Sequence, residues 1–226
     1  MKKIIIYTTN DEFLSLKLVD KIISNDIYKN FKIDIFITKA NFIRKIKIMF
    51  VFLFFGSLKD LFLNLKSRVS IKDILKKNKN CEIIDSFNQK YEYGLSLYCT
   101  SKIELQDFKI YNFHLGNLKT QRGSFIFFYK FIKDWNSVTL TFHEISKKFD
   151  VGKIVNEKKI FLNNNCKASD IFFIYLENLD FLIESLKLIE NNERSEYLDY
   201  EKLNLVPSFF QLIRLTFFHF LKKIIS

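Results

Sequence analysis

The run KKIIIYTT at 2–9 constrains the fold more than any other stretch of the chain. It holds three successive isoleucines and ends at the turn pair Asn10–Asp11. A strand covered on both faces has no need to alternate polar and apolar residues, so this reads as a buried strand of a parallel sheet. DEFLSLKLVDKIIS follows, and its Leu14, Leu16, Leu18, Ile22 and Ile23 recur at mostly helical spacing. Asn10 or Asp11 is the expected N-cap. KIDIFIT at 32–38 is the next strand. Strand, helix and strand with short connections predict a right-handed βαβ unit and an α/β fold.

The rest of the chain fits this reading. CEIIDS (81–86), YGLSLYC (93–99) and residues 109–113 are expected strands. Residues 134–146 alternate, with Val138, Leu140 and Phe142 set against Thr139, Thr141 and His143, which predicts a strand with two unlike faces. KIVNEKKIFL (153–162) is its expected antiparallel neighbour. Residues 167–192 read as one long amphipathic helix, capped by Ser169 or Asp170.

The most hydrophobic stretch, 43–69, has an uninterrupted apolar run only from Ile48 to Phe55. A membrane span needs about 20 such residues. A helix pair lying across the sheet, broken at Gly56, is expected there, with an interfacial basic helix on a membrane surface as the alternative. The aromatic, basic tail after Pro207 is expected to pack on the domain or on a second subunit, again with membrane-surface binding as the alternative. His219 within it reads as a packing or surface residue. The start has too short an apolar run for a signal peptide.

Composition excludes several classes. A length of 226 residues and 48% hydrophobic content suit one globular domain. A net charge of +11 is compatible with nucleic acid, anionic lipid or a phosphorylated substrate, but no nucleic-acid-binding motif is present. The first strand is followed by neither a GxGxxG turn nor a phosphate-binding GxxxxGK loop. Cys81, Cys99 and Cys166 are widely spaced, which fits reduced thiols in a cytoplasmic protein and no metal site.

One segment carries chemistry. In YNFHLGNLKTQRG (111–123), Asn112 and His114 stand two residues apart on an extended segment, so both side chains project from one face. An amide N–H and an imidazole aimed at one point can polarise a carbonyl and stabilise an oxyanion. By spacing alone, an Asn-x-His triplet is more often the polar end of a strand. A second block, FDVGKIV (149–155), supplies Asp150, which could hold the imidazole charged and accept a proton if it faced His114.

The two blocks together resemble the 10-formyltetrahydrofolate-dependent formyltransferase family. Its Asn-x-His followed by Arg-Gly is matched by Asn112, His114, Arg122 and Gly123. Its second block is matched by Thr141, His143, Asp150, Gly152 and Ile154. The resemblance covers about 93–160. It implies a Rossmann-like formyltransferase fold: a mostly parallel central sheet flanked by helices, with an antiparallel portion towards the C-terminal half. It also implies a single domain over 1–226, with a Rossmann-like half (1–90), a catalytic and folate-binding half (91–165) and C-terminal helices (166–226).

The implied activity is transfer of a formyl group from N10-formyltetrahydrofolate to an amine, without a metal. Asn112, His114 and Asp150 are the implied catalytic residues. Leu97, Tyr98, Cys99, Lys148 and Phe149 are the folate-binding candidates, and His143, Arg122 and Gly123 the substrate-binding ones. His143 is either a secondary polar group in the cleft or a strand residue on the solvated face. The chain departs from the family pattern in LGNLKTQ (115–121).

TTNDEF after the first strand lacks the glycine of a glycinamide ribonucleotide site, and too little chain follows the second block for a tRNA-gripping barrel. The resemblance is therefore greatest to sugar-nucleotide N-formyltransferases of surface-polysaccharide (O-antigen, lipopolysaccharide) pathways. The implied partners are a dTDP-linked aminosugar and a second copy of the chain as a homodimer, with no nucleic acid. The alternatives are a glycinamide ribonucleotide formyltransferase-like enzyme with another amine acceptor, or a non-enzymatic membrane-surface or nucleic-acid-binding protein on the same fold.

Overall fold

The computed structural model describes residues 1–9, 14–39, 41–59, 62, 69–86, 90–148, 150–190 and 203–225. Its centre is a seven-stranded sheet formed by β1 (Lys2–Thr9), β2 (Phe31–Thr38), β3 (Cys81–Ile84), β4 (Tyr93–Leu97), β5 (Ile110–Leu115), β6 (Ser137–Glu144) and β7 (Ile154–Phe161). Their order is β3-β2-β1-β4-β5-β6-β7. The first five are parallel to one another, β6 is antiparallel to β5, and β7 is antiparallel to β6. The strand order reverses between β1 and β4. Open α/β sheets form their crevice at such a switch point, outside the carboxyl ends of the strands.

The expected βαβ start is present, with α1 (Ser15–Ile23) between β1 and β2. The expected capping residues Asn10 and Asp11 lie outside the described residues. Alternation along β1 divides the core. Ile4 and Ile6 join the larger cluster, which the described helices build from Leu18, Phe52, Phe128 and Phe172 among others. Ile5 and Tyr7 face the other way, into a small cluster with Tyr91 and Ile110 beneath residues of the connecting loops.

α2 (Phe42–Phe55) and α3 (Ile71–Lys77) connect β2 to β3. α2 stops at Gly56 as expected, and most of its expected helical partner lies outside the described residues. α4 (Ile126–Ile132) leads into β6.

The long helix expected over 167–192 is instead two helices, α5 (Ala168–Glu177) and α6 (Leu179–Glu190). Asn178 breaks it. Its backbone leaves helical geometry, and its side-chain amide donates to the Ile174 carbonyl at 3.0 Å. Asparagine competes with the helix in this way by bonding nearby backbone. The cap is also displaced: Lys167 is the capping position, and the Asp170 carboxylate accepts from its backbone N–H at 2.8 Å. α7 (Phe209–Ile225) closes the chain.

Candidate active site

The Asn-x-His pair lies at the carboxyl end of β5, beside the switch point. Alternation places Asn112 and His114 on one face, as the spacing predicts. β5 pairs antiparallel with β6, so Asn112 stands opposite His143 and His114 opposite Thr141. The β6–β7 hairpin returns Asp150 over this end of the sheet. The Asp150 carboxylate comes within 3.7 Å of His114 Nδ1, at ion-pair reach but longer than a hydrogen bond, and both side chains are largely buried. Two blocks separated in sequence thus meet in space.

His143 is not on a solvated face. It is 1% exposed, because β6 lies between β5 and β7 with both of its faces covered. Its Nδ1 sits 3.0 Å from the Glu144 carbonyl, which can only accept, so the ring proton is on Nδ1. Nε2 is then an acceptor, and Asn112 Nδ2 donates to it at 3.2 Å. This bond fixes which end of the Asn112 amide is nitrogen. It also leaves the second amide N–H without another partner among the described residues. Burial holds the His143 imidazole down at about 4, against the opposing pull of the Asp150 charge. It is therefore neutral at physiological pH.

Three backbone features build this geometry. The β6–β7 pairing slips at Phe142/His143. A β-bulge of this kind re-aims side chains beside active sites. A Cβ on Gly152 would overlap the Glu144 carbonyl oxygen, so the hairpin carrying Asp150 closes only over a glycine. Gly116, at φ +148°, lies against His114, and a Cβ there would come within 2.7 Å of Nε2. Tyr98, Phe125 and Asp150 also hold positive φ, a strained state that clusters at functional sites.

The divergent stretch 115–121 is locked by its own polar residues. Asn117 Oδ1 accepts from the backbone N–H groups of Lys119 and Thr120. Gln121, buried, donates to the Ser137 carbonyl at 2.8 Å and accepts from the backbone N–H groups of Asn117 and Thr139. Its own carbonyl lies 3.4 Å from His114 Nε2. Gln121 supports the histidine from the side opposite Asp150, a role the sequence pattern did not signal. Tyr175 on α5 is a second such residue; its hydroxyl accepts from Leu115 N–H at 2.6 Å and steadies the end of β5.

Two cavities meet at these residues. The first, about 420 Å³, is lined by the apolar Ile103, Leu105 and Ile145 and by the exposed charged residues Lys102, Glu104, Lys147 and Lys148. The second, about 130 Å³, lies among Arg44, Tyr98, Phe125, Phe127 and Phe172. Asn112, Asp150 and Cys99 line both. The first cavity draws on the small cluster (Cys99, Ile103, Ile145) and the second on the large one (Phe125, Phe127, Phe172). They approach the end of β5 from opposite faces of the sheet.

The sequence-based candidates divide accordingly. His143, Cys99 and Lys148 line the first cavity, and His114, Tyr98 and Gly123 line the second. The Leu97 side chain is in the core, and its carbonyl accepts from the Thr8 hydroxyl at 3.0 Å. Arg122 lines neither cavity, and its carbonyl accepts from the Asn204 backbone and side-chain amides. Phe149 lies outside the described residues. Arg44 and Phe125 were not singled out from sequence: an arginine in a basic helix and a phenylalanine among 27 carry no local signal.

No protein-family model matches the chain, and no curated protein matches it. Solved structures do. WlaRD, a sugar 3-N-formyltransferase solved in the presence of dTDP and 5-N-formyl-tetrahydrofolate, aligns with a TM-score of 0.63 at 18% identity, over 91% of this chain and 69% of that one. An N-formyltransferase from Helicobacter canadensis, in complex with folinic acid and dTDP-3-aminofucose, aligns at 0.61 and 17% identity over 100% of this chain and 82% of that one. HypX from Aquifex aeolicus, in complex with tetrahydrofolic acid, aligns at 0.57 and 11% identity, over 91% of this chain but 30% of HypX. The chain has the formyltransferase fold.

Proposed function

We propose that the chain is an N-formyltransferase that moves a formyl group from N10-formyltetrahydrofolate to the amine of a nucleotide-linked amino-deoxysugar. The observation that carries this reading is the meeting of two cavities of unlike chemistry at Asn112 and Asp150. Group transfer between two substrates needs a donor and an acceptor side with shared catalytic groups at the boundary.

The first cavity fits the folate. Its Ile103 and Ile145 suit a flat heteroaromatic ring, and its three lysines, which outnumber the one glutamate, suit a carboxylate tail. Folate supplies an activated formyl carbon. The residues of the chain do the rest. The free N–H of Asn112 and the imidazole of His114 stabilise negative charge developing on the formyl oxygen. Asp150 orients the His114 imidazole and accepts the proton lost by the amine. His143 holds the Asn112 amide in its donating orientation.

The second cavity suits the acceptor. It is small enough to hold the reacting end of a sugar while the nucleotide extends outward. Among the described residues, Arg44 is the permanent cation in its lining. Two of the fold relatives were solved with dTDP or a dTDP-aminosugar, which supports a dTDP-linked acceptor here. A cytoplasmic homodimer is part of the same reading.

The test is direct. Purified protein is incubated with N10-formyltetrahydrofolate and a dTDP-linked 3-amino or 4-amino deoxysugar. The expected outcome is a formylated sugar nucleotide by mass spectrometry, with tetrahydrofolate formed in equal amount. Folate turnover with no formylated sugar among several such acceptors would overturn the substrate assignment. Absence of turnover with any amine would overturn the enzyme assignment.

A further inference from the structure

α2 presents an apolar stripe away from the core. Phe42, Ile46, Met49 and Leu53 recur at helical spacing and are all exposed, with Phe42 at 73%. The opposite side of the helix, with Ile48, Val51, Phe52 and Phe55, fills the core. A helix with an apolar stripe on its outward side as well as its core side has more apolar surface than the core alone covers. α7 repeats the arrangement. Leu212 and Thr216 are buried, while Phe210, Ile213, Phe217 and Ile224 form an outward stripe, with Phe210 at 72% exposed. The two helices are neighbours. The rings of Phe54 and Phe220 lie 6.3 Å apart, and Lys47 sits over the Phe209 ring. The stripes therefore lie on adjacent helices.

Side chains of this size carry about 150–250 Å² each when aromatic, so the eight leave on the order of 800 Å² of apolar surface in water. The largest patch on a typical monomer is about 300–600 Å². Charge identifies the occupant. Neither helix contains an aspartate or glutamate, while Lys45 and Arg214 lie beside the stripes at helical spacing, Lys47 sits over Phe209 between the helices, and Lys222 pairs with Asp134. A second copy seated on this face would bring these cations against their own equivalents, with no carboxylate on either helix to pair them. Among the described residues no helix is long and apolar enough to cross a membrane. An apolar face with a basic border and insufficient length to span is the pattern of a segment lying in a bilayer interface.

We infer that the outward faces of α2 and α7 dock the protein onto an anionic lipid surface. This does not depend on the formyl-transfer reading. The docked helix α2 also carries Arg44 into the wall of the second cavity, so the membrane face and that cavity share one helix.

Flotation with vesicles of phosphatidylcholine, alone or mixed with phosphatidylglycerol, tests the inference. Binding is expected to the mixed vesicles, weakly or not at all to the neutral ones, and is expected to fall with added salt. Leu53→Asp with Phe217→Asp abolishes it. Lys45→Glu and Arg214→Glu each weaken it roughly five-fold or more. These positions are exposed or at the rim, and unchanged melting of each variant checks that the fold is kept. Independently of those variants, Phe217→Trp shifts its emission to the blue on mixed vesicles. Equal binding to neutral and anionic vesicles, or none to either, overturns the inference. So does a concentration-dependent dimer in sedimentation velocity that Leu53→Asp abolishes, which would assign the face to a second copy.

Discussion

Asn112 has one amide N–H committed to His143 and one left for chemistry, and this division defines the site at the scale of single residues. Removing the donor with Asn112→Ala is expected to lower kcat by about 10²–10³, as loss of an oxyanion donor does elsewhere. Asp150→Asn removes the proton acceptor and is expected to cost about 10²–10⁴ in kcat with folate binding retained, measured by steady-state rates and folate titration. His143 acts through Asn112 as a positioning residue. His143→Phe should therefore lower kcat. His143→Gln, whose amide oxygen can accept, should recover part of the rate. Its burial also makes a stability prediction. The imidazole titrates near 6.5 when unfolded and at about 4 when folded, so between these values the unfolded chain binds more protons. Its contribution is fully present above pH 6.5 and declines as pH falls towards 4, by up to about 3 kcal/mol. Urea unfolding across that window should show a steeper acid loss for the unaltered protein than for His143→Gln, and matching slopes would refute the assignment. Sequence spacing put Asn112 and His114 on one face, while Asp150 was singled out by the second block and the family resemblance and not by spacing. Spacing left His143 open between cleft and solvent, because the β5–β6 register that sets it opposite Asn112 is a contact across 31 residues.

At the scale of elements, the β6–β7 hairpin is the part on which the site most depends. Glu144 N–H donates to the Lys153 carbonyl at 2.8 Å, and the Ser146 hydroxyl donates to the Val151 carbonyl, bonds that bring the two ends of the β6–β7 connection together. Gly152 permits that closure. Gly152→Ala places a methyl group on the Glu144 carbonyl oxygen and is expected to destabilise the protein by on the order of 3 kcal/mol, with loss of activity beyond that of a surface variant of equal stability. Melting temperature and turnover on the same preparation check both parts. Elements with local signals were legible in the sequence: the isoleucine run of β1, the alternation of β6 and the stop of α2 at Gly56. Those decided by distant or competing contacts were not. Asn178 divides the expected long helix with one side-chain bond to its own backbone, against an apolar pattern that continues through it. The alternation along β6 was read as two unlike faces, but it could not show that the polar face is buried as well. The 115–121 loop looked like a departure from the family pattern, yet Gln121 makes three hydrogen bonds that replace its lost local signals.

At the scale of the whole molecule, the sheet separates the two sides of the reaction. The switch between β1 and β4 opens a crevice at the carboxyl ends of the strands, and β5 carries the Asn-x-His pair to its rim. Loops on the small-cluster face build one cavity, and α2, α4 and α5 on the large-cluster face build the other. Substitutions far from the shared boundary should then affect one substrate at a time. Ile103 lines the first cavity and takes no part in the second. Ile103→Asp puts an unpaired carboxylate where an apolar ring is to bind and is expected to raise the folate KM at least about ten-fold. Arg44 lies 5.3 Å over the Phe125 ring in the second cavity, well placed for an acceptor phosphate. Arg44→Gln removes a charge-assisted contact and is expected to raise the acceptor KM roughly ten- to a hundred-fold while the folate KM stays within about two-fold. The opposite pattern for each variant would exchange the two cavity assignments. An equal rise in both constants for either variant would show that the cavities bind as one, and the separation by the sheet would then have no functional meaning.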